Sequence, residues 1–191
     1  MKRWIQAAIV VVVTLSFLAP AAAEKCAGVS MDDKQTVAGE ELVLNGQGIR
    51  EATIFSVNVY VAGLYVKEKS KNGAKIAAAD EPKHLVLHFV RDVDKSDIVE
   101  AYREGFKKTS KGKKGLDKKI DKLLGWMEAM KSGSEQVYTY VPDKGLTVKV
   151  NGKEKGTIEG LDFAEAFYLI WLGSSPPNAG LKRGLLGGKC G

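Results

Sequence analysis

Of the 191 residues only two are cysteine, Cys26 and Cys190, only two are histidine, His84 and His88, and only five are proline. The cysteines form no C-x-x-C pair and have no histidine beside them, so a zinc cluster and a thioredoxin-like redox centre are both excluded. The histidines fall four residues apart in a segment that alternates like a strand. That spacing puts their Cα atoms about 13 Å apart, too far to share one ion, and no metal or cofactor is expected. Long apolar runs are also missing, except for Ile5–Leu18. Lys2 and Arg3 precede that run, and Pro20 and Ala21-Ala22-Ala23 follow it, the pattern of a secretory signal with an A-x-A cleavage site. The run falls short of the roughly 20 residues that cross a bilayer. Residues 1–23 are therefore expected to be removed, leaving a periplasmic or secreted protein with no integral membrane segment. In an oxidising compartment the two cysteines, at opposite ends of the mature chain, are expected to pair with each other.

What remains, residues 24–191, is the size of a single domain with one sizeable core. The formal charge of +6 drops to +4 once Lys2 and Arg3 leave. The basic excess sits in Lys107–Lys122, KKTSKGKKGLDKKIDK, which has no interleaved aromatic residues. Such a run reads as a solvated loop and helix face, and no nucleic-acid partner is expected.

The stretch Leu42–Val66 is nearly devoid of charge and places Arg50 inside it. An arginine keeps its proton, so beside buried strands it needs an anion or several acceptors. Thr36–Val43 and Ile49–Val66 are rich in β-branched and aromatic residues and read as strands, with Asn45-Gly46-Gln47-Gly48 as a tight turn or bulge between them. Along Ile54–Val66 the odd positions are apolar and read as core. The even positions, including Asn58 and Tyr60, mix small, amide and phenol groups and suit the wall of a cleft. Pro82–Val93 alternates as another strand. A helix opens at Asp94 or Ser96 with Ile98, Ala101, Tyr102, Gly105 and Phe106 along one stripe, and a second is expected over Leu116–Met130, with Gly133 as its stop. Gln136–Val141, Leu146–Val150 and Lys153–Ile158 form a three-stranded meander through Pro142-Asp143-Lys144-Gly145 and Asn151-Gly152. The next helix starts with an Asp162…Glu165 capping box, is apolar on nearly every side and ends at Gly173; Ala179–Leu186 is a short amphipathic turn. Strands, inserted helices, strands and a last helix predict an α+β fold, a mainly antiparallel sheet with a layer of helices on one face.

Four segments carry a resemblance: G-x-G-I-R-E ending at Glu51, NVYVAGLYVKE at Asn58–Glu68, EGLDFAEAFYLIWLG at Glu159–Gly173, and LKRGLLG at Leu181–Gly187. Together they resemble the chalcone isomerase-like family, and most closely its exported bacterial members. The resemblance implies an open-faced β-sandwich with helices over a ligand cleft. The family contains plant isomerases that close a chalcone to a flavanone, and members that bind fatty acids without turnover. The resemblance sets Arg50 at the family's ligand-facing arginine and Tyr60 at a tyrosine of the fatty-acid binders, where the plant enzymes have threonine. A straight strand would hold these two about 33 Å apart, so the resemblance also requires a turn within Glu51–Val57. It sets Ile170 at a hydroxyl residue of the enzymes and Gly105 at an asparagine. Lys95 and Tyr102 lie near their lysine and tyrosine, with Ile98 opposite that tyrosine in the local pairing.

Three functions are consistent with these residues. One is a non-catalytic binding protein for a fatty acid or similar apolar carboxylate, with Arg50 as anion clamp, Tyr60, Asn58, Tyr102 and Ile170 around the ligand, and Ile54, Leu64 and Phe167 among the walls. Another is an intramolecular lyase of chalcone isomerase type that relies on Arg50. The last is a structural or partner-binding envelope protein in which Arg50 pairs with Glu40, Glu41 or Glu51.

Overall fold

A computed structural model describes residues 25–52 and 57–190; the expected signal segment, 1–23, and Ile54 lie outside the described residues. Seven strands follow one another in sequence order, each antiparallel to the next: β1 (Lys34–Val37), β2 (Glu40–Ala52), β3 (Val57–Val66), β4 (Lys83–Phe89), β5 (Glu135–Val141), β6 (Gly145–Val150) and β7 (Lys153–Ile158). Five helices punctuate them: α1 (Gly73–Ala78), α2 (Lys95–Thr109), α3 (Asp117–Gly125), α4 (Leu161–Leu172) and α5 (Ala179–Leu185). Residues from all five helices join one buried cluster on a single face of the sheet, giving the α+β architecture expected. Among the described residues no helix is long and apolar enough to cross a membrane.

The meander β5–β6–β7 follows its turn residues closely. Asn151 and Gly152 both have positive φ, which matches the twist of the flanking strands and closes the β6–β7 hairpin. Elsewhere the strands break where side-chain pattern gives no warning. Ala38 and Gly39, at φ 50° and 85°, turn the chain between β1 and β2, so Thr36–Val43 is two strands rather than one. Asn45-Gly46-Gln47-Gly48 is not a turn but part of β2, with a bulge at Leu44/Gly46. The expected strand Ile49–Val66 folds back on itself and pairs Arg50 with Tyr60.

The two faces of β3 also differ from the expected division. Ala62, Leu64 and Val66 enter the main core beneath the helices, whereas Val61 and Tyr65 belong to a smaller cluster on the opposite face with Cys26, Met31, Val37, Leu42 and Val86. The polar character of the even positions is confined to the start of the strand, before it passes under α4. Cys26 and Cys190 are joined, with Cα atoms 5.7 Å apart, and this disulfide closes the smaller cluster.

Among the helices, α4 is the central one, with eight of its twelve residues buried. It stops at Gly173 as expected but starts differently. Gly160 is its N-cap with no side-chain bond, while Asp162 and Glu165 accept from Lys119 and Lys113, so the capping box does not form. The α3 helix ends at Gly125, where Trp126 N–H closes a tighter turn onto Leu123, and Met127 and Met130 are buried in irregular chain. Glycine is a poor helix former, which explains the early stop. Gly133 lies in a turn before β5. The α1 helix, only six residues long, has too few turns to show a period, although Asn72 caps it by accepting from Lys75 N–H at 3.0 Å.

Candidate functional site

A cleft of about 810 Å³ lies between the β2–β3–β4 end of the sheet and helices α2 and α4. Its size is that of a small-molecule pocket. Arg50, Tyr60, Tyr102 and Ile170 all line it. Asn58 does not. It is exposed at the start of β3, paired with Glu51, and the register shift at Arg50/Glu51 passes over Val59, which does line the cleft. Leu64 and Phe167 are core residues outside the lining, and His84 and His88 point to the other face of β4, bonded to Thr139 and Glu135.

Antiparallel register brings Arg50 and Tyr60 side by side, since their Cα atoms are cross-strand partners. The half-buried Arg50 donates to the Glu51 carbonyl, and among the described residues no carboxylate lies within ion-pair distance of it. The acids that sequence offers as partners are engaged elsewhere or turned away: Glu40 pairs with Lys67, Glu41 pairs with Lys34, and Glu51 meets Arg50 only through its backbone. Tyr60 accepts a hydrogen bond from Trp171 Nε1 at 2.9 Å. With its oxygen serving as acceptor, its own proton has no acceptor among the described residues. Burial pushes the Tyr60 hydroxyl up to about 12, against the opposing pull of the Trp171 bond and the Arg50 charge, so it stays protonated and able to donate. The pair thus offers a cation and a neutral donor at one place.

The floor is different in kind. Tyr102 donates to Gln136 Oε1 at 2.8 Å and touches the Tyr138 hydroxyl, and Tyr138 lies 3.0 Å from the same Gln136 oxygen. This triangle is buried, and Gln136 Nε2 donates outward from it to Met127 Sδ at 3.7 Å. Burial raises the Tyr102 hydroxyl well above its ordinary range, reinforced by Tyr138, so it keeps the proton it donates to Gln136. Beside it, Ile170 packs onto α2 at Gly105, where an added Cβ would come within 2.8 Å of the isoleucine. Ile170 and Gly105, which the resemblance sets opposite a hydroxyl and an asparagine, therefore fit each other as one apolar contact.

Among the lining residues not singled out from sequence as part of the site are Trp171, which orients Tyr60, Gln136, which anchors Tyr102, and Arg91, a second arginine at the mouth. Trp171 and Gln136 look like ordinary core and strand residues in one dimension. Arg91 follows a strand as any solvent-facing charge would.

An antiparallel sheet under a helical layer holds a cleft at one end, with an arginine–tyrosine pair at its wall. The chain belongs to the chalcone isomerase-like family, whose model matches residues 23–187. Among solved structures it is similar to a fatty-acid-binding protein of Arabidopsis thaliana at 16% identity, covering 86% of this chain and 95% of that one with a TM-score of 0.71. No curated protein matches the chain by sequence.

Proposed function

We propose that this protein binds, without chemically altering, a fatty acid or similar apolar carboxylate, with Arg50 as the anion clamp and Tyr60 as a second donor. The observation that carries this reading is the donor pair itself. An arginine and a tyrosine stand next to each other at the wall of a cleft, and among the described residues neither has an acid to satisfy it. A carboxylate accepts from both at once, and Phe89, Ile98, Ile170 and Trp171 supply apolar surface for a hydrocarbon tail. The solved neighbour described as fatty-acid binding supports the reading by analogy of fold.

An isomerase needs more than an oxyanion-stabilising arginine. It needs groups that orient the substrate, and Ile170 and Gly105 pack apolar surface where the resemblance implies a hydroxyl and an amide. The envelope-protein alternative requires an internal acid on Arg50, and Glu40, Glu41 and Glu51 do not fill that role. Export belongs to the same proposal, supported by the N-terminal pattern and by a disulfide between the two ends of the mature chain.

The test is native mass spectrometry of protein purified from the periplasm, with calorimetric titration of a fatty acid. A co-purifying acyl ligand is expected, and Arg50→Ala should weaken binding about tenfold to a hundredfold, the worth of a charged hydrogen bond. A bare mass that persists after incubation with fatty acids would sink the reading, and chalcone turnover lost in Arg50→Ala would replace it with the isomerase.

A further inference from the structure

The carboxylate reading uses one arginine, yet two line the cleft. Arg91 stands two residues beyond Phe89, in the bend after β4, and has no ion pair or hydrogen bond among the described residues. Its position is fixed by the sheet, because Val90 N–H still donates to the Val59 carbonyl at 3.0 Å one residue earlier. The adjacent acid is already taken. Asp92 accepts from Lys131 Nζ at 2.7 Å and from Ser132 N–H at 3.0 Å, and these bonds hold its carboxyl below the usual range.

Arg50 faces Tyr60 across β2–β3, and Tyr60 faces Phe89 across β3–β4. Two strand spacings separate β2 from β4 by about 10 Å, a gap that long side chains reaching from either side can close over a head group held at Tyr60. A carboxylate has one charge and two oxygens, and a guanidinium together with a tyrosine hydroxyl already occupies most of its acceptor sites. A second guanidinium is surplus to it. A phosphate monoester brings three terminal oxygens and a charge near −2, and arginine pairs suit that geometry.

We infer that the head-group site takes a phosphate monoester at the end of a single alkyl chain in preference to a simple carboxylate, with Arg91 as the second clamp. The inference rests on the cleft and donor pair of the proposed function. Asp94 at the N-cap of α2 and Asp97, Glu100 and Glu104 along it, all exposed, line the same cleft and oppose added negative charge, while Lys108 of that helix lines it with the opposite sign. Solvent and salt screen charges in such positions, so their opposition is weak.

The experiment is calorimetric titration of the full mature chain with dodecyl phosphate below its micelle concentration, with dodecanoate, and with inorganic phosphate, at one ionic strength. Wild type, Arg91→Gln and Arg50→Ala are compared. Dodecyl phosphate is expected to bind about tenfold more tightly than dodecanoate, roughly one further charged hydrogen bond. Arg91→Gln should erase that preference and change dodecanoate binding by no more than about twofold. Inorganic phosphate should not bind measurably. Equal affinities for the two chains, or an Arg91→Gln loss shared by both, would overturn the inference. Inorganic phosphate binding as tightly as dodecyl phosphate would overturn it too, since the tail would then contribute nothing. Arg50-dependent dodecanoate binding without a phosphate preference removes the second clamp and leaves the carboxylate reading standing; no binding of either chain removes both.

Discussion

Lys83 and His84 are neighbours in the chain, lie on opposite faces of β4, and are both made reluctant to hold a proton by burial. Lys83 sits on the helix-covered face, donating to the carbonyls of Ala77 and Ala79 with its ammonium 4.7 Å from the Tyr140 ring. Burial lowers it to about 8, opposed by Asp80, Glu81 and Glu165. His84, on the other face, bonds Thr139 at 2.9 Å with its ring 5.7 Å from Tyr65, and burial, aided by Lys149, lowers it to about 4. Both faces therefore exclude water, but by different means. On one side a nearly all-apolar helix fills the space; on the other a short N-terminal segment is drawn across the sheet and tied by a disulfide. The first face is held by bulk, the second by a tether.

The sharpest way to break that contrast is to cut the tether. Replacing Cys26 and Cys190 with serine should destabilise the protein by up to about 5 kcal/mol, the chain-entropy figure for so long a loop. Denaturant unfolding of reduced and oxidised protein measures it, and hydrogen exchange should show Val61 and Tyr65 losing protection before Leu64. Equal loss on both faces would mean the tether serves the whole fold. Phe167→Ala attacks the other side. Its ring lies 4.5 Å from Tyr138 and 4.9 Å from Trp171, at the centre of the aromatic cluster. A cost of about 4 kcal/mol is expected in the same assay, and a cost under about 1 kcal/mol would show that the helix face does not depend on its bulk.

Acidity separates the faces more gently. Because the Lys83 pKa falls on folding, the unfolded chain binds the extra proton, and stability should rise from about pH 8 to pH 10 by about 1 to 2 kcal/mol. Above pH 10 buried tyrosines reverse the trend, since Tyr60 and Tyr65 are held up to about 12 while unfolded tyrosine ionises near 10. Lys83→Met should flatten the rise. His84 acts at the other end of the scale. Its pKa also falls on folding, so stability should drop by about 1 kcal/mol as pH goes from 6.5 towards 5, and His84→Gln should remove that part of the slope. An unchanged profile in either variant would show that the face concerned is wetter than its packing suggests.

Sequence carried the parts of this fold that are built from local chemistry. The β6–β7 hairpin follows from Asn151-Gly152, the central helix from an apolar run ending at Gly173, and the disulfide from two cysteines with no other partner. It failed where tertiary contacts overrule local preference. Ala38 adopts a positive φ that alanine disfavours, and Asp162 abandons its capping role for Lys119. The site was legible one residue at a time and not as a set. Arg50 stands out as a charge in an apolar stretch, but its meeting with Tyr60 depends on a hairpin that the resemblance requires and the residue pattern alone does not show. Trp171, which leaves the Tyr60 proton available, and Arg91, across the cleft mouth, become visible only once β2, β3 and β4 lie side by side.

The α5 helix meets β2 backbone to backbone. An added Cβ on Gly46 would sit 2.1 Å from the Gly184 carbonyl, one on Gly48 would sit 2.5 Å from that of Leu181, and Asn178 donates to the Ile49 carbonyl at 3.1 Å. Arg50 is the next residue along. The guanidinium thus follows a stretch of strand whose two glycines have no room for a side chain of their own, whereas Ile170, Val59 and Arg91 stand on other elements around the cleft. Under the proposed function, changes at Ile170, Val59 or Arg91 would retune which tail or head group the cleft accepts, while Arg50 would stay where the backbone contacts of β2 hold it. In that proposal ligand choice is adjustable, and the point from which it is measured is fixed.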